Sequence, residues 1–186
     1  MHNFPRIFIK SDFCVFLALS FFVVPVQWVL GWMIAAFVHE LFHLLIMLIL
    51  KIRVLSISVG ASGVVIQSDF LTSAQELLCA LAGPFGGLIA ALLIVIIPHV
   101  GVSAAIQTIY NLLPVYPLDG GRAVKCIATC FLGEDKATRI SNAINILSIV
   151  LITFAGIWLP RKYQTGYIIL VLLLLFMICK NSLQSS

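Results

Sequence analysis

The residues with the most chemistry in this chain stand at Phe37-Val38-His39-Glu40-Leu41-Phe42-His43, a H-E-x-x-H pattern inside an apolar run. On an α-helix His39 and His43 lie one turn apart on one face, so both imidazoles can reach a single metal ion. Glu40 sits beside them, facing the space that a bound water would occupy. That is the ligand geometry of a zinc hydrolase. The plainer reading is a polar patch in a helix bundle. It requires several buried partners for two imidazoles and a carboxylate, and ionisable groups at membrane depth mark functional sites by default.

A catalytic zinc takes three protein ligands and keeps a fourth position open. The stretch Asn111-Leu112-Leu113-Pro114-Val115-Tyr116-Pro117-Leu118-Asp119-Gly120-Gly121-Arg122 offers the missing one. Two prolines and two glycines within eight residues break a helix, and broken backbone at membrane depth is tolerated only where it is buried in protein or lines a wet cavity. The break delivers one carboxylate, Asp119. His99 is the other candidate ligand, but its place at the end of a span favours a solvated turn residue.

The elements that must position these groups are membrane helices. Of 186 residues 62% are hydrophobic and only 10% charged, far from soluble averages. The net charge of +4 matters less than where Lys and Arg stand, and nothing indicates nucleic-acid binding. Five cysteines without C-x-x-C spacing favour neither a disulfide framework nor a structural zinc cluster. Cys126 and Cys130 share a helix face, the one pairing that leaves a second metal site open.

The expected fold is an all-α polytopic membrane protein of about six transmembrane helices, forming one domain over residues 1–186. Residues 13–30 make the first span, retained and not a cleaved leader, with Gly31-Trp32 as a tight turn into a second span over 32–50. Between spans two and three, residues 52–68 alternate β-branched residues around Gly60-Ala61-Ser62-Gly63, which predicts a small interfacial β-hairpin. It serves either as a linker or as an edge to which an extended peptide adds. The third span, 73–97, carries Gly83 and Gly87 at G-x-x-x-G spacing, with Pro84 expected to kink it beside a close helix contact. A fourth span is interrupted at 111–122, residues 133–136 form a polar loop, and spans at 140–159 and 167–179 complete the six. With a cytoplasmic amino terminus, nine Lys and Arg fall on the cytoplasmic side and only Arg161 and Lys162, in a loop, fall opposite. Both termini are then cytoplasmic.

Taken together these motifs resemble the site-2 protease family of intramembrane zinc metalloproteases. H-E-L-F-H at 39–43 matches its H-E-x-x-H, and residues 111–122 match its N-x-x-P-x-x-P-L-D-G-G-R. Ala82-Gly83-Pro84 is similar to its small-residue motif, although Gly87 stands where many members have asparagine. The resemblance covers about residues 34–125, the catalytic core, with two further spans over 140–180. It is closest to the compact bacterial branch that includes the stage IV sporulation protein FB, with neither a PDZ-like insertion nor the nucleotide-binding C-terminal CBS domain that such members often carry. Regulation is then expected to come from a membrane partner or from the substrate. The resemblance implies a zinc ion on His39, His43 and Asp119, Glu40 as general base, and Asn111 holding the substrate backbone or polarising its carbonyl. Gly83, Pro84, Pro114, Pro117, Gly120 and Gly121 would shape the site. It implies a membrane-associated substrate, such as an anti-sigma or pro-sigma factor, cut in or near the bacterial cell membrane. A proteolytically silent, metal-binding chaperone of the same fold is the alternative.

Overall fold

Pro25 sets the first break in the chain. In a computed structural model, which describes residues 5–61, 63–69 and 71–163, helix α1 (Ser11–Val23) ends just before it and helix α2 (Val26–Ile49) starts just after it. The proline ring forces the preceding residue toward extended backbone, and Val24 sits at φ −120°, ψ 136°. This corrects the expected turn at Gly31-Trp32, because α2 runs straight through both. Gly31 is a packing residue: a Cβ there would lie 2.6 Å from the backbone oxygen of His99. At 13 residues α1 is also about 20 Å long and too short to cross hydrocarbon alone.

After α2 the chain turns through Lys51, in the left-handed region at φ 55°, into strands β2 (Val54–Gly60) and β3 (Gly63–Ser68). They pair antiparallel with Ile57 opposite Ile66 and Gly60 opposite Gly63. The expected hairpin is therefore present, and Ser62 of its turn lies outside the described residues. It is not alone. An amino-terminal strand β1 (Arg6–Ile9), not expected from the sequence, adds in parallel to β2 and makes a three-stranded sheet in the order β1-β2-β3.

Helix α3 (Ser73–Ala91) opens with a capping box, Thr72 accepting from the Gln75 backbone N–H while the Gln75 side chain accepts from that of Thr72. The helix continues through Pro84 and passes into a short 3-10 turn, Leu92–Val95. Helix α4 (Pro98–Asn111) follows. Helices α2, α3 and α4 pack on one another through small residues. Their buried faces carry Gly31 and Ala35 on α2, Ala80, Gly83, Gly86, Gly87 and Ala90 on α3, and Gly101, Ser103 and Ala104 on α4. Ala35, Ala90 and Ala104 form the centre of this core. Large apolar residues point outward instead, among them Phe37, Leu48, Phe85 and Ile109. A bundle with small residues inside and large apolar ones outside suits a lipid surround, where helix association rests on close packing. Among the described residues two helical segments, Val26–Ile49 and Ser73–Val95, are long and apolar enough to cross a membrane.

The chain divides into two compact units, Met1–Leu112 and Leu113–Ser186. In the second, residues 113–118 are irregular and the Tyr116–Pro117 peptide is cis. Helix α5 (Asp119–Leu132) then packs on α6 (Glu134–Tyr163) across Gly133 at φ 80°. The expected polar loop over 133–136 shrinks to that one glycine, because Glu134 and Asp135 form the acidic first turn of α6. Arg161 and Lys162 lie on α6 and not in a loop, and the sixth expected span, 167–179, lies outside the described residues.

Candidate metal centre

The buried stripe of α2 recurs every four residues, at Gly31, Ala35, His39, His43 and Met47. The helix therefore turns both histidines inward, only 5% and 6% exposed, while Leu41 and Leu45 face out. Two neutral imidazoles in so apolar a place need polar partners on both ring nitrogens.

His43 meets that need with the backbone of α3. Its Nδ1 is 2.7 Å from the carbonyl oxygen of Cys79. A carbonyl only accepts, so Nδ1 carries the proton and the Nε2 lone pair is exposed toward His39. A carbonyl on the far nitrogen is the usual outer support of a metal-bound histidine. The two Nε2 atoms stand 3.1 Å apart. Nitrogen ligands at about 2.0–2.1 Å from a tetrahedral zinc are roughly 3.3 Å from each other, so the pair is spaced for a shared ion.

Gly83 makes this pairing sterically feasible. A Cβ at that position would lie 2.6 Å from His39 Nε2 and from His43 Cε1, and closer still to His43 Nε2. One turn on, a Cβ at Gly86 would collide with the Phe42 ring, and Phe42 packs edge-on against Phe85 at 6.2 Å. The G-P-F-G-G run thus lets α3 lie directly against the motif face of α2. The sequence reading anticipated that contact for Gly83; it missed Gly86, whose only signal was its place in that run. Gly87 faces α4 instead, where its Cβ would meet the Thr108 hydroxyl.

Asp119 is buried at the first position of α5, where the positive end of the helix and the Arg122 guanidinium, 3.9 Å away, both complement a carboxylate. Gly121 is buried under the preceding loop, since a Cβ there would meet the Val115 carbonyl at 2.6 Å. Gly120 is buried near the start of α5, and Pro114 and Pro117, both half-buried, lie within the irregular segment. His39 and His43 belong to the first compact unit and Asp119 to the second. Two imidazoles and one carboxylate are a donor set that zinc accepts. His99 packs edge-on against Trp28, ring centroids 4.7 Å apart, which removes it as third ligand. Glu40 is half-buried on α2 beside His39, and Asn111 is half-buried as the last residue of α4.

Two contacts in this region have no sequence signature, the Cys79 carbonyl behind His43 and the Gln107 amide that donates to the Trp32 carbonyl at 2.8 Å, tying α4 to α2.

No family model and no curated protein matches the chain. Among solved structures, the site-2 protease from Methanocaldococcus jannaschii is similar in fold, with a TM-score of 0.68 and 21% identity over 95% of this chain and 90% of that one.

Proposed function

We propose that the chain is an intramembrane zinc metalloprotease of the site-2 protease type. The observation that carries this reading, in which Asp119 is the third donor, is the imidazole pair, Nε2 atoms 3.1 Å apart on a helix of membrane-spanning length. The fold likeness to a site-2 protease supports it. His39 and His43 hold the metal through Nε2, with the Cys79 carbonyl fixing the tautomer and ring plane of His43. Zinc bound there acidifies water and polarises a carbonyl. Glu40 takes the proton of the attacking water and passes it to the leaving amine. Asn111 holds the scissile carbonyl through its amide. The substrate is a membrane-associated regulatory protein of the anti-sigma or pro-sigma kind. The setting is a bacterial cell membrane, crossed several times, with both termini cytoplasmic.

His43→Ala and Asp119→Ala are each expected to cost the detergent-purified protein its zinc, from about one ion per chain to none. Metal content by mass spectrometry checks this. Full zinc retention in Asp119→Ala would remove that carboxylate from the ligand set.

A helical substrate must unwind before its amide can be attacked, and we propose that the unwound stretch pairs with the outer edge of β3. That strand stands at the end of the sheet order, with β2 on its other side. Along β3 the backbone N–H groups alternate between the β2 ladder and the open edge. Proline at Val64 or at Val65 therefore removes an outward N–H in one case, and that variant is expected to lose cleavage while keeping zinc. Unchanged cleavage in both proline variants would exclude edge pairing.

A further inference from the structure

Thr108 is 2% exposed, and its Oγ1 has no hydrogen-bond partner among the described residues. A hydroxyl in the middle of a helix usually bonds the carbonyl four residues back. This one points across the helix interface at Gly87, at the place where a side chain on residue 87 would begin. That placement aims the hydroxyl at the hydrogen that Gly87 carries there, a direction that suits a Cα–H···O contact. A buried hydroxyl left without a hydrogen bond is destabilising, and valine has the same shape without that cost. The hydroxyl therefore needs a reason.

The reason lies in the register of the two helices. Gly101 of α4 meets the backbone of Ile94, and Thr108 meets Gly87. Seven residues forward on α4 match seven residues back, from the 3-10 turn into α3, so the two segments run antiparallel. Gly83 lies one turn back along α3 from Gly87, and Asn111 lies three residues forward along α4 from Thr108. Gly83 is the residue against which both imidazoles rest. The Thr108 contact therefore joins α3 and α4 one turn from Gly83 on one helix and about one turn from Asn111 on the other.

We propose that Thr108 is a positioning residue for Asn111. Its hydroxyl, seated in the notch left by Gly87, sets how closely α4 approaches α3 and so where the Asn111 amide stands relative to the imidazole pair. An oxygen suits the notch because Cα–H···O contacts settle at roughly 3.3–3.6 Å, whereas a methyl group settles at about 3.5–4.0 Å. This inference rests on the role given to Asn111 above.

The test compares Thr108→Val, Thr108→Ser and a Gly87→Ala/Thr108→Ala cycle in detergent-purified full-length protein. Thr108→Val is expected to lower kcat about 10- to 100-fold with KM and zinc content unchanged, because the displaced group acts on the transition state and not on the metal. Thr108→Ser is expected to stay within a few-fold of the unsubstituted protein. Independently of cleavage, Gly87→Ala is expected to lower Tm, and adding Thr108→Ala to recover most of that loss, because the new methyl then fills the space of the removed side chain. Additive Tm changes overturn the notch contact. Normal kcat in Thr108→Val, equal loss in Thr108→Ser, or loss of zinc in Thr108→Val each overturn the positioning role. Absence of cleavage by the unsubstituted protein would instead count against the protease reading, and the Tm cycle would still decide whether Thr108 fills the notch.

Discussion

Gly83→Ala is expected to abolish zinc binding while leaving most of the helical fold in place. The added methyl would stand within 2.6 Å of both His39 Nε2 and His43 Cε1. These are atoms of rigid rings on a buried helix face, so relief requires moving α2 from α3 or swinging an imidazole away. Either movement breaks the geometry, because His43 is held at 2.7 Å by a carbonyl of the same helix that carries Gly83. Metal sites tolerate ligand displacements of only about 0.2 Å. Outer-shell changes that merely loosen a ligand cost roughly 10- to 100-fold in affinity, and a direct collision with both nitrogens is expected to exceed that. Zinc titration of detergent-purified protein, with helicity by circular dichroism as the control for folding, is the measurement. Gly86→Ala is the informative comparison: it forces the same two helices apart through the Phe42 ring, and it is expected to weaken zinc less. Equal, normal zinc affinity in Gly83→Ala would show that this glycine does not seat the imidazoles.

The parts of this molecule that were legible in the sequence are those determined locally. H-E-x-x-H needs only the pitch of one helix to bring two imidazoles together. The break between α4 and α5 was readable because proline and glycine dictate it, and Asn111 does end one helix as Asp119 begins the next. Gly31 shows where such reading fails. A glycine beside a tryptophan reads as a turn or as a packing notch, and only the His99 carbonyl, far along the chain, decides between them. β1 was hidden for a related reason: four residues pair in parallel with a strand some fifty residues away, and no local pattern announces a non-local partner. The Cys79 carbonyl was beyond reach altogether, because every residue has one and only the packing of α3 on α2 selects it.

Catalysis separates from metal binding at Glu40. Replacing it by glutamine is expected to preserve the fold, the zinc and the substrate complex while removing turnover. Glutamine has nearly the same shape but cannot accept the proton of the attacking water. The residue is half-buried, one position along α2 from His39, so a neutral isostere leaves the imidazole stripe undisturbed. General-base contributions are typically ~100- to 10,000-fold, and the same carboxylate also returns the proton to the leaving amine. Loss is therefore expected at or beyond the upper end of that range, well above the effect of moving Asn111. The measurement is cleavage of a co-expressed substrate with one membrane span, compared with the unsubstituted protein at equal expression and equal zinc content. Near-normal cleavage by Glu40→Gln would sink the mechanism. Substrate captured but uncleaved by both proteins, with zinc in place, would identify a metal-binding chaperone, because binding would then persist in the presence of every group that hydrolysis requires.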